Sequence, residues 1–436
     1  MWTKKGWLYL AMGIVLAFIA LVVRSTALMV LSVMLLATIL VTQFFSRLGK
    51  IASMRQMSSE KIFEDGVITV DLALVNKGGR TGFLEIRDKL PQQIQIEEGT
   101  NYLIIDLKPN ESLRMKYKIK APIRGIFEFG PVSLRAQDVF NIFYKELELE
   151  LVDNVTVFPL VYDIKDLPIR SRTPKLFPGA SKVKQPGPGS EFFLIRNYVP
   201  GDPFKNINWK AYARTGELLV NEKEREAVSD IVIMLDSRAS AATGTIGHNA
   251  LIYGSRAAAT LTSFFIKRRD SVALIVYSDR LLSIKPSQGS KQLYEILTAL
   301  AGAEPAGDLP FKGVVEVSSP YMPRRSPVII ISNLDGDPSV VDAISELRTL
   351  EFDVVVLTPN SIEFELMSRK RLEAGVERSL EYEVLRLERD VMIQDLRGYG
   401  AAIVEWDPKV PLLAILLSAA QSIGNQEFDH RGGDWV

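Results

Sequence analysis

The sequence predicts a multidomain chain: an N-terminal transmembrane helical hairpin, a β-sandwich domain, and an α/β domain built on a mostly parallel, Rossmann-like sheet. Three observations predict it. Two long uncharged apolar stretches open the chain. Short β-rich runs bounded by turn residues follow. Beyond Asp230, fully apolar runs of strand length alternate with helix-length segments, the pattern of a sheet covered on both faces. The boundaries implied are 1–50 for the hairpin, 60–160 for the β domain, 161–228 for a linker and motif segment, 229–425 for the α/β domain and 426–436 for a polar tail.

The hairpin rests on length and charge. Trp7 to Val23 carries no charge, and neither does Thr26 to Phe45; Arg24 and Ser25 alone separate them. A spanning helix needs about 20 apolar residues, and an arginine at the bilayer centre is costly, so two antiparallel helices are preferred to one long bent one. Lys4 and Lys5 precede the first helix, and Arg47, Lys50 and Arg55 follow the second. The positive-inside rule then places both ends, and the body of the chain, in the cytoplasm of a two-pass cell-membrane protein. A cleaved signal peptide fits less well, because a second full-length apolar stretch follows at once and no convincing small-residue cleavage site appears.

The β domain is read from runs such as Val67–Val75, which ends at the turn signal Asn76-Lys77-Gly78-Gly79, and from Phe83–Ile86, Tyr102–Leu107, Leu113–Ile119, Gly125–Gly130 and Val155–Phe158. Residues 159–190 are rich in Pro, Gly, Lys and Ser, with Pro186-Gly187-Pro188-Gly189 the clearest breaker, and read as a linker or extended arm. In the α/β domain, strands are expected at Ile231–Leu235, Val272–Tyr277, Val328–Ile331, Val354–Leu357 and Ala402–Glu405. Helices are expected over Asn249–Lys267, Lys291–Ala301, Ser339–Leu350, a charged region reaching Arg397, and Leu412–Ile423. Ligands of such sheets gather beyond the carboxyl ends of the strands, where Asp236, Ser240 and the Ser332–Asp337 loop should lie.

Composition removes whole classes of chemistry. The 436-residue chain has no cysteine, which excludes disulfides, thiolate nucleophiles and Cys-rich metal sites. Its two histidines, His248 and His430, lie in unrelated contexts, so a His-based metal site or a Ser-His-Asp triad is not expected. Lys+Arg and Asp+Glu are 52 each, and no basic footprint for nucleic acid is visible. Neither a G-x-x-x-x-G-K-[ST] phosphate loop nor a G-x-S-x-G elbow occurs.

The densest motif runs from Gly189 to Val220. It reads Glu191-Phe192, then Arg196-Asn197-Tyr198-Val199-Pro200-Gly201-Asp202, then Ile207-Asn208-Trp209-Lys210-Ala211, then Ala213-Arg214-Thr215-Gly216-Glu217-Leu218. Pro200-Gly201-Asp202 is a turn, Trp209 is a large anchor beside Lys210, and Arg196, Asp202, Lys210, Arg214 and Glu217 form a charge set able to pair internally. This order resembles the signature of the domain-of-unknown-function 58 family, membrane-anchored proteins related to von Willebrand factor A domains. The resemblance extends to the apolar helices, the Arg124-Gly125 turn, the Asp138-x-Phe140-Asn141-x-Phe143 segment, where Asn141 replaces a frequent Gly, and the α/β domain. It implies no established reaction. It does imply a partner, an AAA+ ATPase of the MoxR type, and an adaptor role in assembling or maturing other proteins.

Von Willebrand factor A domains often hold Mg²⁺ at D-x-S-x-S after the first strand, a set of hard oxygen ligands suited to that ion. Here the loop is Asp236-Ser237-Arg238-Ala239-Ser240, with arginine at the middle serine position, and the later loop is Ser332-Asn333-Leu334-Asp335. Two readings stand. In one the metal site, Asp236, Ser240 and Asp335, is degenerate and Arg238 satisfies Asp236, leaving no cofactor. In the other Mg²⁺ rests on Asp236, Ser240 and Asp335 or Asp337 with Arg238 swung outward. The motif residues Glu191, Arg196, Tyr198, Gly201, Asp202, Trp209, Lys210, Arg214 and Gly216 serve either a partner or the docking of their own segment onto the α/β domain. The expectation is a non-enzymatic, membrane-anchored adaptor that binds protein. Its rivals are a structural cell-envelope protein acting through the β domain and a metal-dependent hydrolase using Asp202, Asp236 and Asp335.

Overall fold

The computed structural model describes residues 2–45, 50–138, 140–164, 175–186, 192–334, 336–369 and 380–416. The chain divides into two compact units, Met1–Phe158 and Pro159–Val436.

The first unit opens with two packed helices, α1 (Lys4–Val23) and α2 (Thr26–Phe45). Thr3 caps α1 by accepting the Gly6 N–H, and Arg24 turns the chain in the left-handed region. α1 buries the small stripe Gly6, Gly13 and Ala20. Small residues let two backbones approach where lipid offers no hydrophobic gain: a Cβ on Gly13 would lie 2.7 Å from Leu36 Cδ2, and the Ser32 hydroxyl donates to the Gly13 carbonyl at 2.9 Å. α1 is long and apolar enough to cross a membrane.

The strands that follow are β1 (Ile51–Met57), β2 (Lys61–Phe63), β3 (Val67–Asn76), β4 (Thr81–Asp88), β5 (Gln95–Glu98), β6 (Tyr102–Leu107), β7 (Ser112–Lys120), β8 (Gly125–Phe129), β9 (Val132–Gln137), β10 (Tyr144–Leu149) and β11 (Asp153–Phe158). They form two four-stranded antiparallel sheets, ordered β1-β3-β7-β5 and β10-β9-β4-β6, and a small sheet β2-β11-β8. Alternation explains the arrangement. Val70, Leu72 and Leu74 of β3 point one way, and with Tyr117 and Ile119 of β7 they share a core with Leu84 and Ile86 of β4 and Leu134 of β9. Charged groups enter this unit too, Arg55 and Asp88 among them. Arg55, on β1, gives Nε and Nη2 to Asp88 at the end of β4 and Nη1 to Asp153 on β11, while the Tyr117 hydroxyl donates to Asp88 at 2.7 Å.

In the second unit, β12 (Lys175–Pro186), β13 (Phe192–Asn197) and β14 (Leu219–Val228) pair antiparallel, with the short α3 (Trp209–Thr215) between β13 and β14. The region read from sequence as a linker is therefore stranded over Lys175–Pro186. Pro178, Gly179 and Pro186 sit in a strand whose register breaks twice, the kind of place where a strand tolerates them, and Gly187-Pro188-Gly189 lie outside the described residues.

The α/β part continues with β15 (Asp230–Asp236), the two-residue strands β16 (Gly244–Thr245) and β17 (His248–Asn249), α4 (Ala250–Lys267), β18 (Ser271–Tyr277), β19 (Leu281–Ser287), α5 (Gly289–Ala301) and α6 (Phe311–Ser318). Then come β20 (Pro327–Ile331), α7 (Val340–Thr349), β21 (Asp353–Pro359), α8 (Ser361–Arg369), α9 (Leu380–Gly398) and β22 (Ala402–Trp406). The sheet order is β19-β18-β15-β20-β21-β22, parallel except for the edge strand β19. Every residue of β15 and β20 is buried, as fully apolar runs require. β15 leads to β18 on one side and the chain later returns to β20 on the other, so the switch point lies at the carboxyl ends of β15 and β20. The expected helix Leu412–Ile423 and the tail 426–436 lie largely or wholly outside the described residues.

Arg55→Ala leaves the Asp88 carboxylate buried beside a tyrosine with no counter-charge. The expected loss is about 3–5 kcal/mol, read as a lower unfolding midpoint of the detergent-solubilised chain. Arg80→Ala, which removes an exposed pair with Asp106, should leave that midpoint unchanged.

Candidate functional site

Asp236 ends the central strand β15 and is buried with its carboxylate fully engaged. Arg238, two residues on, folds back into the sheet end instead of outward. Its Nε lies 3.1 and 3.2 Å from the two Asp236 oxygens and its Nη2 2.8 Å from Oδ2. Its Nη1 donates to Asp337 at 2.6 Å. The Arg238 N–H and the Ser332 hydroxyl also donate to Asp236, at 3.0 and 2.6 Å. Only 1% of the Arg238 side chain is exposed, so the arginine is a component of the interior. It links the ends of β15 and β20 to the start of α6, because Asp337 also accepts the Phe311 N–H at 2.8 Å and the Ser339 hydroxyl at 2.6 Å.

The electrostatics follow from this enclosure. Burial works against the Arg238 charge, but the hydrogen bonds and charge of Asp236, with Asp337, hold it more firmly protonated than a free arginine. Burial alone would raise the Asp337 carboxyl. The donors from Ser339, Phe311 and Arg238 hold it below the usual carboxylate range.

These residues do not fit a divalent ion. Both Asp236 oxygens are taken, and a guanidinium already fills the space between the two acids. A cation placed ~4 Å from it meets a repulsion of about 4 kcal/mol per unit charge at an effective dielectric constant of ~20. Ser240 keeps a buried hydroxyl without a hydrogen-bond partner among the described residues, while its carbonyl accepts from Asn333 Nδ2 at 3.1 Å. Asp335, the third expected ligand, lies outside the described residues. The reading with Arg238 swung outward is corrected: the short side of the loop, closed by the Arg238 N–H on Asp236, turns the guanidinium inward.

The motif lies apart from this loop, at the tip of the β13–β14 pair. Asn197 pairs with Leu219, the Tyr198 N–H donates to the Leu218 carbonyl, and residues 198–218 form the excursion between the strands. Arg196 clamps the excursion. Its Nη1 and Nη2 reach the two Asp202 oxygens at 2.7 and 2.8 Å, and its Nε reaches Glu222 at 3.2 Å. The Arg196 hydrogen bonds and the Val199 N–H bring the Asp202 carboxyl down to about 2. Gly201 and Gly216 have φ of 109° and 74°, the left-handed region that glycine enters without strain. Gly216 closes α3 by donating to the Tyr212 carbonyl, and Asn208 opens it by accepting the Ala211 N–H.

The motif thus divides. Arg196, Gly201, Asp202 and Gly216 build the tip, and Tyr198 is half-buried within it. Trp209, Lys210 and Arg214 face outward, and so do Phe204, Lys205 and Tyr212, which the sequence reading passed over. Their spacing, an aromatic beside a cation at 204–205 and again at 209–210, was the available signal. Glu191 lies outside the described residues. Asp202 and Asp236, joined in the hydrolase reading, are each bound by a different arginine.

Comparison with known proteins bears on this same stretch. Residues 194–362 match the family described as "Protein of unknown function DUF58". That match contains the tip, Arg196 to Gly216, and the Asp236–Arg238 loop. Uncharacterized protein YeaD of Bacillus subtilis (strain 168) is 28% identical over 153 residues, which is 34% of this chain and 38% of that protein. The chain therefore spans well under half the length of this relative. Among solved structures, the FixG-related protein from Vibrio parahaemolyticus aligns over 25% of this chain and 98% of its own, at 15% identity and a TM-score of 0.18. Proximal thread matrix protein 1 from the mussel byssus aligns over 30% of this chain and 35% of its own, at 15% identity and a TM-score of 0.23.

Two linked results are expected. The thermal midpoint of the parent chain should not respond to millimolar Mg²⁺ or to EDTA. Arg238→Ser, which exposes Asp236 and Asp337 to each other without a counter-charge, should cost about 3–5 kcal/mol and acquire stabilisation by Mg²⁺. Because the Asp337 carboxyl is held low in the folded state, its contribution is complete above about pH 4 and lost as the pH falls through its folded value. Asp337→Asn should therefore flatten the acid limb of a stability–pH profile; an unchanged limb would show that the carboxylate contributes nothing there.

Proposed function

We propose that the protein is a non-enzymatic, membrane-anchored adaptor whose second unit binds a protein partner. One observation carries this reading: the tip at 198–218 presents large apolar side chains to solvent. Phe204 is 72% exposed, Trp209 58% and Tyr212 42%. Trp209 and Tyr212 meet edge to face at 6.2 Å, so the pair is preformed. Around them Lys205, Lys210 and Arg214 have no ion-pair partner among the described residues, whereas the neighbouring acids Asp202 and Glu222 are consumed by Arg196. Trp, Tyr and Arg are the side chains that dominate binding energy at protein interfaces, and an exposed apolar group rimmed by charge is the usual form of such a site. The partner face is accordingly apolar with acidic surroundings.

Three further features agree with an adaptor. The parallel sheet with Asp236 at the end of its first α/β strand supports the von Willebrand factor A-like reading. The internal Arg238 pairing supports partner binding that needs no divalent ion. The resemblance to the domain-of-unknown-function 58 family makes a MoxR-type AAA+ ATPase the first partner to seek, with assembly or maturation of other proteins as the process served. α1 and α2 are read as two membrane passes, and the cations that flank them, Lys4, Lys5, Lys50 and Arg55, support a cytoplasmic side for both ends of the hairpin.

The test is affinity purification of full-length protein from native membranes, beside Trp209→Ala and Lys210→Glu. An AAA+ ATPase should be recovered with the parent. Truncating Trp209 should weaken it by about 30-fold or more, the effect of a hot spot worth at least about 2 kcal/mol, at an unchanged thermal midpoint. Recovery should survive EDTA. Equal recovery with both variants would remove the tip from the interface. Recovery of envelope proteins alone, retained after the tip is altered, would favour a structural role for the first unit.

A further inference from the structure

Asp138 and residues 140–143 form the turn between β9 and β10, and this turn is packed against the two apolar helices. Ile142 and Phe143 share a buried cluster with Ile39, against which Tyr9, Leu10 and Leu36 also pack. Thr3, the cap of α1, holds the turn from the other side: its N–H donates to the Ile142 carbonyl at 3.0 Å and its hydroxyl to the Asn141 carbonyl at 2.6 Å. Trp2 meets Phe143 edge to face at 4.6 Å. The fit at Gly6 is close enough that a Cβ there would lie 2.6 Å from the Ile142 carbonyl oxygen.

Depth along α2 is informative. Phe140 borders an apolar groove of about 240 Å³ with Met34, Ala37, Thr38 and Val41. Those residues lie two to nine positions before Gln43, the first amide side chain of α2, which is roughly 3–13 Å along the axis at ~1.5 Å per residue. Phe140 is 56% exposed, and so, to a similar degree, are Met34 and Val41 beside it. Its ring continues the outer apolar surface of the helix.

An irregular turn survives beside hydrocarbon only if its backbone polar groups are satisfied within the protein, and here the N–H groups of residue 138 and of residues 140–143 are. The Asp138 carboxylate accepts from Phe140 at 3.2 Å, Ile142 at 2.8 Å and Phe143 at 2.7 Å. The Asn141 N–H donates to the Asp138 carbonyl at 3.0 Å. One buried aspartate does for this turn what water does for an ordinary surface loop.

We propose that the Asp138 turn is a membrane wedge: it enters the hydrocarbon layer beside α2 and sets the Phe140 ring against lipid acyl chains. The β strands of the first unit are then held to lipid as well as to the helices, which fixes that unit close to the bilayer surface. This inference rests on reading α1 and α2 as membrane-spanning. It concerns a surface remote in sequence from the partner-binding tip.

The absence of cysteine from the chain makes a clean experiment available. Phe140→Cys, Val15→Cys in the middle of α1 and Lys145→Cys on β10 are each spin-labelled in the full-length protein and placed in phosphatidylcholine nanodiscs. Collision with oxygen reports lipid, and collision with a water-soluble nickel chelate reports solvent. The label at 140 should favour oxygen as the label at 15 does, at a shallower depth, while the label at 145 favours nickel. A label at 140 that behaves like 145, with 15 still in lipid, overturns the wedge and leaves the spanning helices intact. A label at 15 that behaves like 145 overturns both. Dipolar broadening at 140 with loss of oxygen contact would seat a second copy of the chain in the groove and also overturn the proposal. A second measurement needs no substitution: a phospholipid with a photoreactive acyl chain should cross-link the unmodified peptide containing Phe140, and failure to do so, with cross-linking to α2 retained, counts against the wedge.

Discussion

The Arg238 guanidinium, enclosed between Asp236 and Asp337, is the interaction on which the end of the parallel sheet depends. Three chain segments meet there: the exit of β15, the loop after β20 and the start of α6. Each brings buried polar atoms that no regular structure satisfies, and a five-donor planar cation is suited to serve several at once. A metal ion at this place would have organised the same oxygens by coordination. Arginine does it from within the chain, with Nη2 on Asp236 and Nη1 on Asp337. The cost is an interior that tolerates the loss of either carboxylate poorly, since one removal leaves the guanidinium unbalanced.

The first unit solves related problems by the same means. Arg55 crosses from β1 to Asp88 and Asp153 and so ties strands of different sheets. Asp138 satisfies a turn that lies against apolar helices. In each case a single charged side chain, almost wholly withdrawn from water, supplies several hydrogen bonds to groups that would otherwise be stranded. Such groups add little net stability compared with an apolar core of the same volume, but they fix one geometry. A hairpin of small-residue contacts such as Gly6, Gly13 and Ala20 has few specific interactions of its own, and Thr3 and the Asp138 turn supply the register that packing alone does not.

Much of this was legible in the sequence where one physical signal dominated. The strands β15, β20 and β21 are unbroken apolar runs, because both faces of a parallel sheet are covered. The alternation of Val70, Leu72 and Leu74 marked a half-covered strand. Legibility failed where elements lie at edges. β19 carries Ser, Lys and Pro in Leu281–Ser287 because an antiparallel edge strand needs few apolar residues, and it went unseen. β12 reads as a linker because Pro and Gly, read locally, signal a break, while pairing with β14 is a long-range fact. At the candidate site, the arginine in place of a serine was visible as an anomaly. That it bridges Asp236 to Asp337, which lies 99 residues beyond the arginine, is a tertiary relation with no local trace.

The motif shows why an ordered set of residues need not have one role. Arg196, Gly201, Asp202 and Gly216 are explained by the tip's own geometry: a bidentate clamp and two left-handed positions. That explanation is sufficient for them and fails for Trp209. A tryptophan that only supported the tip would be buried in it, and this one stands 58% exposed beside an exposed tyrosine. Leaving aromatic surface in water costs on the order of 25 cal/mol per Å², and the ring that Trp209 meets among the described residues, Tyr212, is itself exposed. The neighbouring cations sharpen the point, since Asp202 and Glu222 are bound by Arg196, while Lys210 and Arg214 stand exposed. The clamp therefore accounts for the inward half of the motif and leaves Phe204, Trp209 and Tyr212 exposed on the outward half, which is the physical argument behind the recognition role proposed for it.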